Sequence, residues 1–90
     1  MHQVNITITG RVQRVGFRYW VRNIARKLGV NGIVRNLDNG GLEVIAQSDE
    51  DTLRVFVNTI SDGPPLALVK EVKTKWVKPR EKFEGFEILR

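Results

Sequence analysis

The chain of 90 residues contains no cysteine. Disulfides, thiolate metal sites, iron–sulfur clusters and cysteine nucleophiles are excluded together. Histidine is almost as scarce. The one copy, His2, sits at the N-terminus, where end residues are usually solvated. A Ser-His-Asp triad or a histidine-based metal site is therefore not expected. No apolar run approaches the ~20 residues of a membrane span. Met1-His2-Gln3-Val4-Asn5 has neither the basic start nor the apolar core of a signal peptide. These absences lead us to expect a cytoplasmic protein with no membrane partner.

What remains suffices for one domain, residues 1–90. Apolar residues make up 41% of the chain, and 8 Gly with 3 Pro do not suggest disorder. Fifteen Lys and Arg against ten Asp and Glu leave a net charge of +5. That excess points to an anionic partner but does not choose among phosphate, nucleic acid and an acidic surface.

Periodicity supplies the elements. Val4, Ile6 and Ile8 alternate with polar residues and predict a strand. From Arg18 the pattern is helical, with Trp20, Ile24 and Leu28 on one face and Gly29 as the stop. Ile33–Leu37 and Leu42–Ala46 predict two strands around a tight Asn39-Gly40 hairpin. Ser48 is positioned to cap a second helix carrying Leu53, Phe56, Val57 and Ile60, which Gly63-Pro64-Pro65 ends. Val72, Thr74 and Trp76 predict a fourth strand, and Phe86 and Ile88 a short fifth. The order β-α-β-β-α-β plus one strand predicts an α+β, ferredoxin-like split βαβ sandwich, two helices on one face of an antiparallel sheet. Lys70, Lys73, Lys75 and Lys78 read as protection of an exposed sheet edge.

The segment from Gly10 to Arg18 breaks local rules. Arg18 and Arg22 lie in the first turns of a helix, where a cation costs roughly 0.3–1 kcal/mol against the helix dipole. Rule-breaking of this kind concentrates at functional sites. A glycine-containing loop entering a helix can point several N–H groups at one anion, and Arg18 adds a forked guanidinium suited to phosphate oxygens. The plainer reading is equally open here: Arg18, Arg22 and Arg26 fall at i, i+4 and i+8 and could form a solvated helix face. Neither established nucleotide-binding glycine pattern is present, since five residues separate Gly10 from Gly16 and Phe17-Arg18 follows.

Gly10-x-Val12-Gln13-x-Val15-x-Phe17-Arg18 closely resembles the first signature of the acylphosphatases, and Gly32-x-Val34-Arg35-Asn36 with Gly40 resembles their second. Gly63-Pro64-Pro65-Leu66-Ala67 and the element order also match, so the resemblance spans nearly the whole chain. It implies hydrolysis of an acyl phosphate to carboxylate and inorganic phosphate, with no metal, no cofactor and no covalent intermediate. It implies that Gln13, Arg14, Val15, Gly16, Phe17 and Arg18 bind the phosphate, with phosphate or sulfate as a product-like anion. It implies that Arg18 and Asn36 are catalytic, Asn36 orienting the attacking water. Taken without the family, Asn36 reads as a residue flanking the Asp38-Asn39-Gly40 turn. We expect a monomer.

Four positions depart from the family pattern. Arg14 stands where glycine is usual, Ile33 where an aromatic is usual, Leu42 where valine is usual and Ser48 where glycine is common. Arg14 bears on activity: a positive φ there would strain an arginine by ~1 kcal/mol or more, while its charge would add a second cation.

Two other function classes share this fold. A nucleic-acid module of this fold stacks bases on aromatics of its two central strands, yet Val4–Thr9 and Leu42–Gln47 contain none. Gly29-Val30-Asn31-Gly32 looks like a nucleic-acid clamp loop but joins a helix to a strand. A non-catalytic domain binding phosphate or carbamoyl phosphate is the third class, because similar domains occur inside larger maturation proteins.

Overall fold

Alternation at Val4, Ile6 and Ile8 builds β1 (His2–Arg11), whose three apolar side chains are fully buried. In the computed structural model, which describes residues 1–90, the order continues as α1 (Phe17–Leu28), β2 (Asn31–Asn36) and β3 (Leu42–Ser48). It ends with α2 (Glu50–Ser61), β4 (Leu68–Val77) and β5 (Phe86–Leu89). The strands form one sheet in the order β4-β1-β3-β2-β5. Both helices cover one face, where Val4, Ile6, Ile8, Val34, Leu42, Val44 and Ala46 meet Phe17, Val21, Ala25, Leu53, Phe56 and Ile60.

The sheet is mixed rather than wholly antiparallel. Pairs β1–β3, β1–β4 and β2–β3 are antiparallel, but β5 runs parallel to β2. The cause is topological. β4 occupies one edge and β5 the other, so the chain crosses the sheet between Val77 and Phe86 and arrives at β2 in the same direction. β4 is the lysine-bearing edge strand that the sequence suggests.

Three local details differ from the sequence reading. The buried stripe of α1 is Phe17, Val21 and Ala25; Trp20, Ile24 and Leu28 are half-buried at its margin. Both sets have four-residue spacing, so spacing alone did not choose between neighbouring stripes. The cap of α2 is Asp49 rather than Ser48. Its carboxylate accepts the Thr52 N–H at 2.8 Å and the Thr52 hydroxyl at 2.8 Å. These bonds, the backbone one first, hold the Asp49 carboxyl below its ordinary pKa. Finally, the β2–β3 turn is wider than a two-residue hairpin. The Leu37 N–H donates to the Gly41 carbonyl at 2.8 Å, and only Gly40 has positive φ. Asn39 instead accepts the Gly41 N–H at 2.9 Å, closing the turn with its side chain.

Candidate active site

The β1–β4 register shifts between Thr9 and Gly10, Thr9 facing Glu71 and Gly10 facing Val69, so Lys70 is the extra residue of a bulge beside the end of β1. Gly10 has φ 126°, and a Cβ there would overlap the Leu68 carbonyl, so no other residue fits. After Arg11 the chain leaves the sheet and enters α1 at Phe17. Two residues in this link are left-handed, Arg14 at φ 63° and Gly16 at φ 77°. Val15 between them is not. Alternation of this kind curls successive N–H groups toward one side, the geometry of a backbone nest.

The N–H groups of this nest lack internal acceptors. From Gln13 to Tyr19 no backbone N–H donates to the protein; the first bond of α1 runs from Trp20 to the Gly16 carbonyl at 3.1 Å. Gly16 caps the helix without a side-chain acceptor, and no acidic residue lies in the first turn. Helix α2 differs on each count. The positive end of α1 is thus left uncompensated by the chain.

A cavity of about 170 Å³ opens at this point, lined by Arg14, Gly16, Phe17, Arg18, Tyr19 and Asn36 together with buried Val12. Larger cavities lie elsewhere, but this is the one on which the nest and helix end converge. Asn36 reaches it because the alternation of β2 puts residue 36 on the same side of the sheet as buried Val34. Its side-chain amide has no hydrogen-bond partner in the protein. No carboxylate lines the wall. Arg14 and Arg18 take part in none of the four ion pairs of the chain.

Five of the seven residues singled out in the sequence therefore lie on one small cavity: Arg14, Gly16, Phe17, Arg18 and Asn36. The side chains of Gln13 and Val15 do not. Val15 packs against the core. Gln13 donates through Nε2 to the carbonyls of Leu37 at 2.8 Å and Gly41 at 2.9 Å. Phe17 contributes backbone only, since its ring is buried edge-on to Trp20. Two features were not legible in the sequence. One is the Gln13 clamp, which joins positions 24 and 28 residues apart. The other is Tyr19, exposed at the cavity mouth with the Arg22 guanidinium 5.1 Å from its ring centre. A helical i, i+3 spacing signals the second, but only once the helix start is known.

The three arginines of α1 are not one solvated face. Arg18 lines the cavity, and Arg22 is half-buried with its Nε unpaired. Arg26 donates to the Phe86 carbonyl at 3.3 Å. The helix-free face of the two adjacent inner strands carries Asn5, Thr7, Glu43, Ile45 and Gln47, with no aromatic ring among them for base stacking. No helix is long and apolar enough to cross a membrane.

Comparisons with known proteins bear on the fold and the family. The family model described as Acylphosphatase matches residues 4–88. An acylphosphatase of Thermotoga maritima is 43% identical over 88 residues, covering 98% of this chain and 97% of that protein. The crystal structure of acylphosphatase from Bacillus subtilis superposes with a TM-score of 0.96 at 36% identity, covering all of both chains. The crystal structure of HypF from T. kodakarensis gives a TM-score of 0.87 at 28% identity, but this chain corresponds to 12% of that larger protein.

Proposed function

We infer the chemistry of this cavity from one premise: the chain belongs to the acylphosphatase family. Its activity is that of an acylphosphatase, a hydrolase whose substrates are small acyl phosphates. The assignment of roles to residues is our proposal.

The phosphoryl group sits in the nest, its oxygens facing the N–H groups of Arg14 through Tyr19 and the Arg18 guanidinium. Arg14 adds a second cation at the rim. Asn36 holds a water, its carbonyl oxygen accepting one water hydrogen and its NH₂ donating to a phosphate oxygen. That water attacks phosphorus opposite the acyl oxygen. The P–O bond to the acyl group breaks, the carboxylate leaves with the electron pair, and a phosphate oxygen takes the water's proton. Atoms balance: acyl phosphate and water give carboxylate and dihydrogen phosphate.

This route needs no general base from the protein. A carboxylate is already a good leaving group, so positioning and charge stabilisation are the main tasks. The scarcity of histidine and absence of cysteine are consistent with that. The observation that carries the reading is the convergence of unaccepted N–H groups, an unpaired Arg18 and an unpartnered Asn36 amide on one small cavity. Tyr19, exposed beside it, offers a surface for the acyl body.

The reading is tested by benzoyl phosphate hydrolysis in the presence of EDTA, with inorganic phosphate as inhibitor. Turnover that survives EDTA and is inhibited competitively by phosphate is expected. Absence of turnover, with phosphate still binding, would instead favour a phosphate or carbamoyl-phosphate binding domain.

A further inference from the structure

The connection from Val77 to Phe86 crosses the sheet face that carries no helix. It borders an open cleft of about 450 Å³ between itself and the strands, away from the helix-side cavity described above. Gln3 and Asn5 line it, and they are held from behind by Gln47 in a relay of three amides. Gln47 and Gln3 face each other across β3 and β1, and both are buried. Gln47 Oε1 accepts the Phe83 N–H at 3.0 Å. Gln47 Nε2 donates to the Glu81 carbonyl at 2.6 Å and to Gln3 Oε1 at 2.8 Å. Gln3 Nε2 then donates to Asn5 Oδ1 at 3.0 Å.

The direction of this relay is fixed. A backbone N–H only donates and a backbone carbonyl only accepts, so Phe83 and Glu81 permit one orientation of Gln47. That orientation dictates Gln3, which dictates Asn5. The relay must therefore end on donor hydrogens, at Asn5 Nδ2, which finds no acceptor in the protein. Asn5 is half-buried on the cleft wall. Lys78 and Arg80 also line the cleft, and Lys75 is the β4 neighbour of Asn5. None of the three cations is in an ion pair. The Glu81 carboxylate is the one opposing charge on the wall. Ile45, Val77 and Phe83 supply the apolar remainder.

We propose that this cleft is a second binding site, specific for a small organic carboxylate with an apolar or aromatic body. The acidic head meets Asn5 Nδ2 with Lys78 and Arg80, and the body lies on Ile45, Val77 and Phe83. A charge-assisted contact to the head and apolar burial of the body are both required, so neither a bare anion nor a neutral aromatic satisfies the site.

Benzoate is a suitable probe, followed by ¹H–¹⁵N NMR of the full chain at millimolar concentration. Saturable shifts are expected at the Asn5 side-chain NH₂ and the Phe83 N–H. The Lys78→Ala/Arg80→Ala double variant, altered only at exposed positions, should weaken benzoate by about tenfold or more. It should leave the response of residues 14–19 to inorganic phosphate unchanged, which separates this site from the other cavity. Benzyl alcohol and inorganic phosphate should not shift Asn5. Benzoate shifts confined to residues 14–19, equal shifts from benzyl alcohol, or an unchanged affinity in the double variant would each overturn the proposal.

Discussion

Gln13 donates to the Leu37 carbonyl at 2.8 Å and so ties the loop that carries Arg14 and leads to Arg18 to the turn just beyond Asn36. The same nitrogen reaches the Gly41 carbonyl at 2.9 Å, which uses both amide hydrogens. Neither carbonyl depends on Gln13 alone, because Leu37 also accepts the Gly40 N–H and Gly41 the Leu37 N–H. The clamp therefore sets the relative position of the two elements to which we assign catalysis more than it satisfies buried groups. Gln13→Ala should cost about 1–2 kcal/mol of stability. It should lower kcat by tenfold or more through misplacement, with a smaller change in phosphate inhibition. Gln13→Glu keeps the shape but sets a carboxylate against two carbonyls, so it should be the more damaging change. Urea unfolding and steady-state kinetics of the two variants check this order.

Arg14 holds a left-handed backbone that the family pattern assigns to glycine. Arg14→Gly relieves ~1 kcal/mol of strain but loosens the unfolded chain by about 0.4–1 kcal/mol. Stability should therefore stay within about 1 kcal/mol of the wild type. Loss of the rim cation should weaken phosphate inhibition, and more so at low salt. Thermal melting with phosphate titrations at two ionic strengths separates strain from charge.

Gly10 leaves no room for a side chain, because a Cβ would overlap the Leu68 carbonyl and also crowd the Lys70 N–H. Gly10→Ala should destabilise by about 3 kcal/mol or more, since both contacts are backbone and φ 126° is foreign to alanine. The loss is read as a lowered urea midpoint.

Much of this was legible in the sequence because period and punctuation are local. Val4, Ile6 and Ile8 alternate, Gly29 stops a helix, and the Gly10–Arg18 signature stands out by violating the dipole rule that α2 obeys. What escaped depends on distant partners. The parallel pairing of β5 follows from which edge β4 takes. The choice of Phe17, Val21 and Ala25 over Trp20, Ile24 and Leu28 depends on how α1 rotates against the sheet. Gln13 lies within the signature, but nothing local shows that its side chain serves a turn 24 residues away while its backbone N–H is left without an acceptor in the protein. Asp49, rather than Ser48, caps α2 because helix geometry starts one residue later than the apolar pattern implied.

The Asp49 cap gives a pH prediction. Its carboxyl is held below the ordinary value by the Thr52 N–H and hydroxyl. A lowered folded pKa gives stability that is present above the unfolded value, ~4. That stability is lost as pH falls through the folded value. Asp49→Ala should therefore be less stable than the wild type at neutral pH, and the gap should narrow in acid. Urea midpoints of both proteins at pH 7 and pH 3 measure it; a gap independent of pH would contradict the assignment.

We assign Arg18 and the nest to the phosphoryl group and Asn36 to the water. Steady-state hydrolysis of benzoyl phosphate by Asn36→Ala and Arg18→Ala, each with phosphate inhibition, separates the two roles. Asn36→Ala should lose kcat by about a hundredfold or more while phosphate inhibits as before. Arg18→Ala should lose phosphate inhibition together with turnover. An Asn36→Ala enzyme with wild-type kcat, or an Arg18→Ala enzyme that binds phosphate undiminished, would contradict these roles.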